Sequence, residues 1–171
     1  MKKLFVVLVA IAMIASLATA QLKQGAFGIQ TGVLGGEDLF NNIGGKTLGV
    51  LYNVNQNTRV GFGIGFATVS PSVGSSTSDF QIGAGFDYYL NSADNLSTLV
   101  GAQIGYLTYS PGSGTSMNGV DIQAKVGAEY AFSSRFSIQA FIGLEYFNIG
   151  PNGAKYSVIR TLSGTALTFY F

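Results

Sequence analysis

VDIQAKVGAEYAFSSRFSIQAFIGLEY, residues 120–146, decides the fold. Val120, Ile122, Ala124, Val126, Ala128, Tyr130 and Phe132 share one parity, with Asp121, Gln123, Lys125, Gly127 and Glu129 between them. After Ser133 and Ser134 the alternation resumes at Phe136, Ile138, Ala140, Ile142, Leu144 and Tyr146, interleaved with Ser137, Gln139, Phe141, Gly143 and Glu145. Period-two alternation places successive side chains on opposite faces of an extended chain. Two such runs around a short polar connection read as an antiparallel hairpin. One face of that hairpin is free of charge throughout; the other mixes acids, a lysine, glutamines and glycines. Strands of soluble sheets average about five or six residues, whereas these exceed the ~9–11 that a tilted strand needs to cross a bilayer. The pure face is therefore expected to meet lipid, and the mixed face to line a closed lumen.

The same alternation extends through the chain and gives eight strands. They are expected at 24–33, 46–53, 58–68, 79–90, 98–109, 120–132, 136–146 and 157–171. The second is the least regular, because Leu51 falls on its inner side. Short connections at 54–57, 91–97 and 133–134 alternate with longer segments at 34–44, 69–78, 110–118 and 148–156 that are rich in Gly, Ser, Asn and Pro. All three prolines (Pro71, Pro111 and Pro151) fall in the long segments, where no ladder hydrogen bond is lost. The predicted fold is all-β: an eight-stranded antiparallel up-and-down transmembrane barrel, its closure removing the edges that lipid would not tolerate.

Composition agrees. Only 10% of residues are charged and 47% are hydrophobic, with 24 glycines. That is too little charge to coat an ordinary soluble domain, yet a barrel facing lipid needs none outside. Residues 1–20 are expected to be a cleaved signal peptide: Lys2 and Lys3, an apolar core from Leu4 to Ile14, then the small-x-small site at Ala18 and Ala20. The barrel domain is then 21–171, with seven basic residues against eight acidic, a net of −1. Nothing in it clusters as a nucleic-acid surface. Cysteine is absent, so no disulfide framework is available.

The chain closes on GTALTFYF, residues 164–171. Gly164, the alternating Leu167 and Phe169, and the terminal Phe171 resemble the C-terminal signal by which bacterial outer-membrane barrels are recognised by their assembly machinery. Leu162, where a polar residue is usual, departs from that pattern. With the leader and the eight strands, the chain resembles the small OmpA- and OmpX-like outer-membrane barrels. The resemblance implies an outer-membrane location, lipid and the assembly machinery as partners, and a monomer whose long loops face outward from short periplasmic turns.

Catalytic candidates do not survive. Gly44, Gly45, Lys46 and Thr47 look like the end of a phosphate loop, but position 40 is Phe where that motif requires glycine. Gly61, Gly63 and Gly65 mimic a dinucleotide fingerprint without the helix that must follow; they read instead as inward glycines making room for bulky residues such as Tyr89, Phe141 or Tyr170. The lipid A palmitoyltransferase and omptin classes of barrel enzyme rely on histidine, which is absent. Glu37, Asp38 and Asp79 have no metal-ligand spacing. No enzyme activity and no cofactor are expected.

The informative charges point inward. Arg59 and Asp87 fall near the turn ends of adjacent strands, with Glu129 at a similar depth. Asp121, Glu145 and Arg160 lie nearer the outer ends, and Lys125 lies between the two layers. If positions 148 and 157 oppose each other, Glu145 faces Arg160. Unpaired charges inside would be costly, and an eight-stranded interior is about as wide as its side chains. These charges are therefore expected to neutralise one another in a filled lumen. A structural, surface-exposed role follows, with a narrow pore or solute carrier as the alternative and a soluble periplasmic ligand-binding barrel as a weaker one.

Overall fold

The structure is a computed structural model that describes residues 24–35, 47–70, 74–93, 95–112, 114–151 and 154–171. Residues 1–20, expected to be a signal peptide, Glu37, Asp38 and the 44–46 segment lie outside these. Eight strands follow in order: β1 (Phe27–Gly35), β2 (Thr47–Asn53), β3 (Thr58–Val69), β4 (Thr77–Ala93), β5 (Leu96–Ser110), β6 (Met117–Ser133), β7 (Phe136–Gly150) and β8 (Tyr156–Tyr170). Each pairs antiparallel with its neighbours, and β1 closes on β8. Gly28 of β1 pairs with Tyr170, and the Phe171 amide donates to the Phe27 carbonyl at 2.9 Å.

The alternation holds in three dimensions. Phe62, Ile64, Phe86, Ile104, Ile122, Val126, Ile142, Leu144 and Ile159 are exposed on the outside. Every charged residue of the eight strands has the opposite, inward parity. Tyr130 also keeps the outward parity, pairing with Leu96 and Ile138, but it is covered, with the Phe132 ring edge-on at 5.1 Å. Aromatic residues border this uncharged band. At the turn end Phe27 meets Tyr52 at 4.8 Å, Phe132 meets Phe136 at 5.4 Å and Phe169 meets Phe171 at 5.3 Å. At the loop end Phe66, Tyr106 and Tyr146 face out. Ten residue steps separate Phe136 from Tyr146 on β7. At a rise of ~3.3 Å per residue and a tilt of about 40°, they span ~25 Å.

Several boundaries differ from the sequence reading. β1 starts three residues later than expected, because Gly25 takes a left-handed φ of 80°. A bulge between Gly32 and Leu34 then removes Val33 from the regular alternation. The connection expected at 91–97 is largely strand: after a bulge at Leu90, Asn91, Ser92 and Ala93 pair with Thr98, Ser97 and Leu96. β7 runs on to Gly150, four residues past its expected end.

One regularity appears only with the strands in place. β3, its loop and β4 recur as β5, its loop and β6, displaced by forty residues: Val69 pairs with Thr77 as Tyr109 does with Met117. The described residues of the two connections correspond. Ser70 meets Ser76 hydroxyl to hydroxyl at 3.0 Å, and Ser110 meets Ser116 at 3.2 Å. Gly74 and Gly114 take left-handed φ of 108° and 120°, a conformation that side chains resist. β7 repeats the span of β5 at the same displacement, and Pro71, Pro111 and Pro151 mark the interval.

Candidate functional site

Inward side chains form layers down the barrel. Nearest the turn end is a buried ionic cluster. Arg59 sits on β3 opposite Asp87 of β4, with its Nη2 2.6 Å from Asp87 Oδ2. Its Nη1 lies 2.8 Å from Glu129 Oε2, reaching across the lumen to β6. Lys125 Nζ takes the other Asp87 oxygen, Oδ1, at 2.8 Å. Two cations thus meet two carboxylates, and the cluster is neutral. Glu129 also accepts hydroxyl hydrogen bonds from Tyr89, from Tyr170 at 2.9 Å and from Ser137 at 2.6 Å. Gln139 accepts from Arg59 at 3.3 Å and from Gln30 at 3.1 Å. Arg59, Tyr89, Leu99, Ser137, Gln139 and Thr168 are 1% exposed or less. Such a floor suits an interior of low dielectric, where each ion needs a partner and each lone pair a donor.

The second layer lies toward the loop end. Asn148 does pair with Ser157, which sets Glu145 opposite Arg160, and Arg160 Nε donates to Glu145 Oε2 at 2.8 Å. Gln123 Nε2 donates to Asp121 Oδ2 at 3.0 Å and to Glu145 Oε1 at 2.7 Å, holding the two acids apart. The Arg160 guanidinium also stacks over Phe147 at 4.6 Å. Lys125, expected between the layers, is tied to the lower one.

Above this layer the lumen turns apolar on one side. Leu107, Phe147 and Ile149 are buried together, with Met117 packed against them. The sequence reading missed this cluster because it ended strand seven at Tyr146. The parity of Glu145, had it been continued, points Phe147 and Ile149 inward as well. The network roles of Tyr89, Tyr170, Ser137 and Gln139 were also unread; their shared inward parity was the available signal.

Glycines shape the wall. A Cβ on Gly164 would stand 2.6 Å from Phe141 Cζ, and one on Gly28 3.0 Å from Tyr170 Cδ1, so these two make room for rings, whereas Gly61, expected to do so, does not. A Cβ on Gly61 would meet Leu51 at 2.7 Å, which locates the inner leucine of β2. Phe169 and Phe171 face outward, Gly164 faces Phe141, and Leu162 is buried in the lumen. Asp79 lies on the inward row with Ala67 and Tyr109. Among the described residues, no group of acids is placed to hold a metal ion.

A closed eight-stranded barrel with an uncharged exterior and a charged interior is the architecture of small outer-membrane β-barrels. No protein-family model matches the chain, and no curated protein sequence does. Solved structures do. Neisserial surface protein A aligns with a TM-score of 0.61 at 16% identity, over 86% of this chain and 100% of its own. The N-terminal β-barrel domain of Pseudomonas aeruginosa OprF gives 0.51 at 16%, over 86% and 98%. The outer membrane protein AlkL, solved in DMPC bilayers, gives 0.50 at 16%, over 91% and 94%. At these identities the likeness concerns the fold.

Proposed function

We propose that this chain is an integral protein of a bacterial outer membrane with a non-enzymatic, surface-exposed role. The ~25 Å uncharged band between two aromatic borders carries the reading, since it matches the apolar height of such barrels and all strand charges are turned away from it. In this reading residues 1–20 direct export and are removed. The turns then face the periplasm, the Gly/Ser/Asn loops face outside, and Gly164, Leu167, Phe169 and Phe171 are read by the assembly machinery. The neutral, buried floor favours an anchor over a through-pore, because any ion crossing it would have to displace Arg59 from Asp87 and Glu129. The protein acts as a monomer, and its lumen charges Arg59, Asp87, Asp121, Lys125, Glu129, Glu145 and Arg160 maintain the barrel.

The test is twofold. Membranes carrying the protein should retain it after a carbonate wash, and the purified barrel should migrate differently on gels before and after boiling. In planar bilayers it should give no steady conductance. Release by carbonate would sink the membrane assignment, and a steady conductance would sink the closed floor.

A further inference from the structure

The inward charges do not balance between the two layers. The eight strands carry three cations (Arg59, Lys125 and Arg160) and five acids (Asp79, Asp87, Asp121, Glu129 and Glu145). The floor takes two of each and is neutral. Asp79 is partly exposed near the rim, where water solvates it. Arg160 is then the one strand cation left for two buried acids, Asp121 and Glu145. With both ionised, two negative charges against one positive would leave this layer at −1.

Arg160 donates through Nε to Glu145 Oε2, so Glu145 has a direct counter-ion. Asp121 has none. It is fully buried, and its side-chain donors are the uncharged amides of Gln123, 3.0 Å from Oδ2, and Gln81. Among the described residues Oδ1 receives no hydrogen bond. That oxygen lies so close to Gly105 that a Cβ there would collide with it, which leaves no room on that side for a metal ion and its ligands. The ionisable groups around Asp121 are Asp79 on β4, Tyr109 on β5, Lys125 on its own β6, Glu145 on β7, and Tyr156 and Arg160 on β8. β1, β2 and β3 place only Gln30, Gly49 and Gly63 at its level. Lys125 is four residues away, about 13 Å along the strand, and is held by Asp87. A buried carboxyl group without a counter-ion is neutralised rather than left charged.

We propose that the loop-end layer is a proton-binding site, in which Asp121 stands as a neutral carboxylic acid at neutral pH and Gln123 bridges it to the ionised Glu145–Arg160 pair. The proton occupies Oδ1, the oxygen without a donor, and makes it a donor toward Gln81, whose amide carries an acceptor at one end. Asp121 pairs with Phe147, one residue beyond the aromatic border at Tyr146, so the site lies at the loop-side edge of the band. Protons reach it from that side past Arg160 and Gln123, both partly exposed. The folded chain thus keeps a proton that the unfolded chain gives up at neutral pH. Stability is therefore lost as pH rises through the point where the folded layer deprotonates, and regained on acidification through it.

Infrared spectra of the refolded full chain, in micelles of a detergent without ester groups, read the proton directly. At neutral pH the protein should show the carbonyl band of one protonated carboxyl group, which fades as the pH is raised. Asp121→Asn should lack that band. Should this variant not fold, Glu145→Gln supplies the comparison, because Arg160 is then free to pair with Asp121 and the band should again be lost. As a second readout, the urea midpoint should fall from neutral to alkaline pH more steeply in the wild-type chain than in Asp121→Asn. The proposal is overturned if the wild-type chain shows no such band, if the folded variant keeps it, or if the two midpoint profiles run parallel. Because the barrel is tested in micelles, this outcome is independent of whether the protein resists carbonate washing.

Discussion

At the scale of single residues, Glu129 holds the floor. It accepts from Arg59, Tyr89, Tyr170 and Ser137, which lie on four different strands. Replacing it with alanine leaves a fully buried guanidinium short of one counter-ion, and breaking such a pair costs about 3–5 kcal/mol. Urea unfolding of Glu129→Ala in lipid vesicles should show a loss of that size. The double variant Arg59→Met/Glu129→Met should recover most of it, and no recovery would mean the cluster is not coupled as drawn. Gly164 gives a steric counterpart. Gly164→Val should cost about 1–3 kcal/mol by overpacking Phe141, and Phe141→Leu should relieve it in the same unfolding assay. Parity turned Arg59, Asp87 and Glu129 inward from the sequence, and counting along the last hairpin set Glu145 against Arg160. The meeting of Arg59 with Glu129 was not legible, because β3 and β6 are not neighbours and no pattern within a hairpin records what crosses a barrel.

At the scale of elements, facing is a property of the whole strand. Val126 and Ile142 are directly paired and sit mid-band, 51% and 63% exposed. An arginine at either site should cost roughly 2–4 kcal/mol at the bilayer mid-plane. Refolding yield and urea midpoint of Val126→Arg in vesicles measure it, and an unchanged midpoint would invert the assignment of the two faces. Strand existence and facing were readable because apolar and polar residues alternate over a dozen positions, as in β6 and β7. Strand ends were not. Beyond the band the outer face becomes polar, as at Asn148, so the period loses contrast while the ladder itself continues to Gly150. Bulges at Leu90 and between Gly32 and Leu34 shift the register without a distinctive residue to announce them.

For the molecule as a whole, closure rests on the ladders that are shortest among the described residues. Among the described residues β1 pairs with β2 at five positions and with β8 at seven, whereas β3 to β8 pair with one another at twelve to fifteen. Local opening begins where the fewest contacts must break. Amide exchange of the barrel in micelles should therefore be fastest along β1 and β2 and slowest along β5 to β7. Uniform protection around the wall would show that the barrel opens only as one unit.

The forty-residue interval between matching hairpins bears on how such a wall could arise and be altered. A two-strand unit that pairs with a copy of itself on either edge is modular: its ends return to the same rim, so another unit can be spliced in without re-routing the chain. Tandem copying of one ancestral segment would account for the shared Ser-Pro dipeptides and for the equal spans of β5 and β7. It also makes the circumference adjustable, since a spliced-in repeat of residues 60–99 would widen the cylinder by two staves while both termini stayed on the same side.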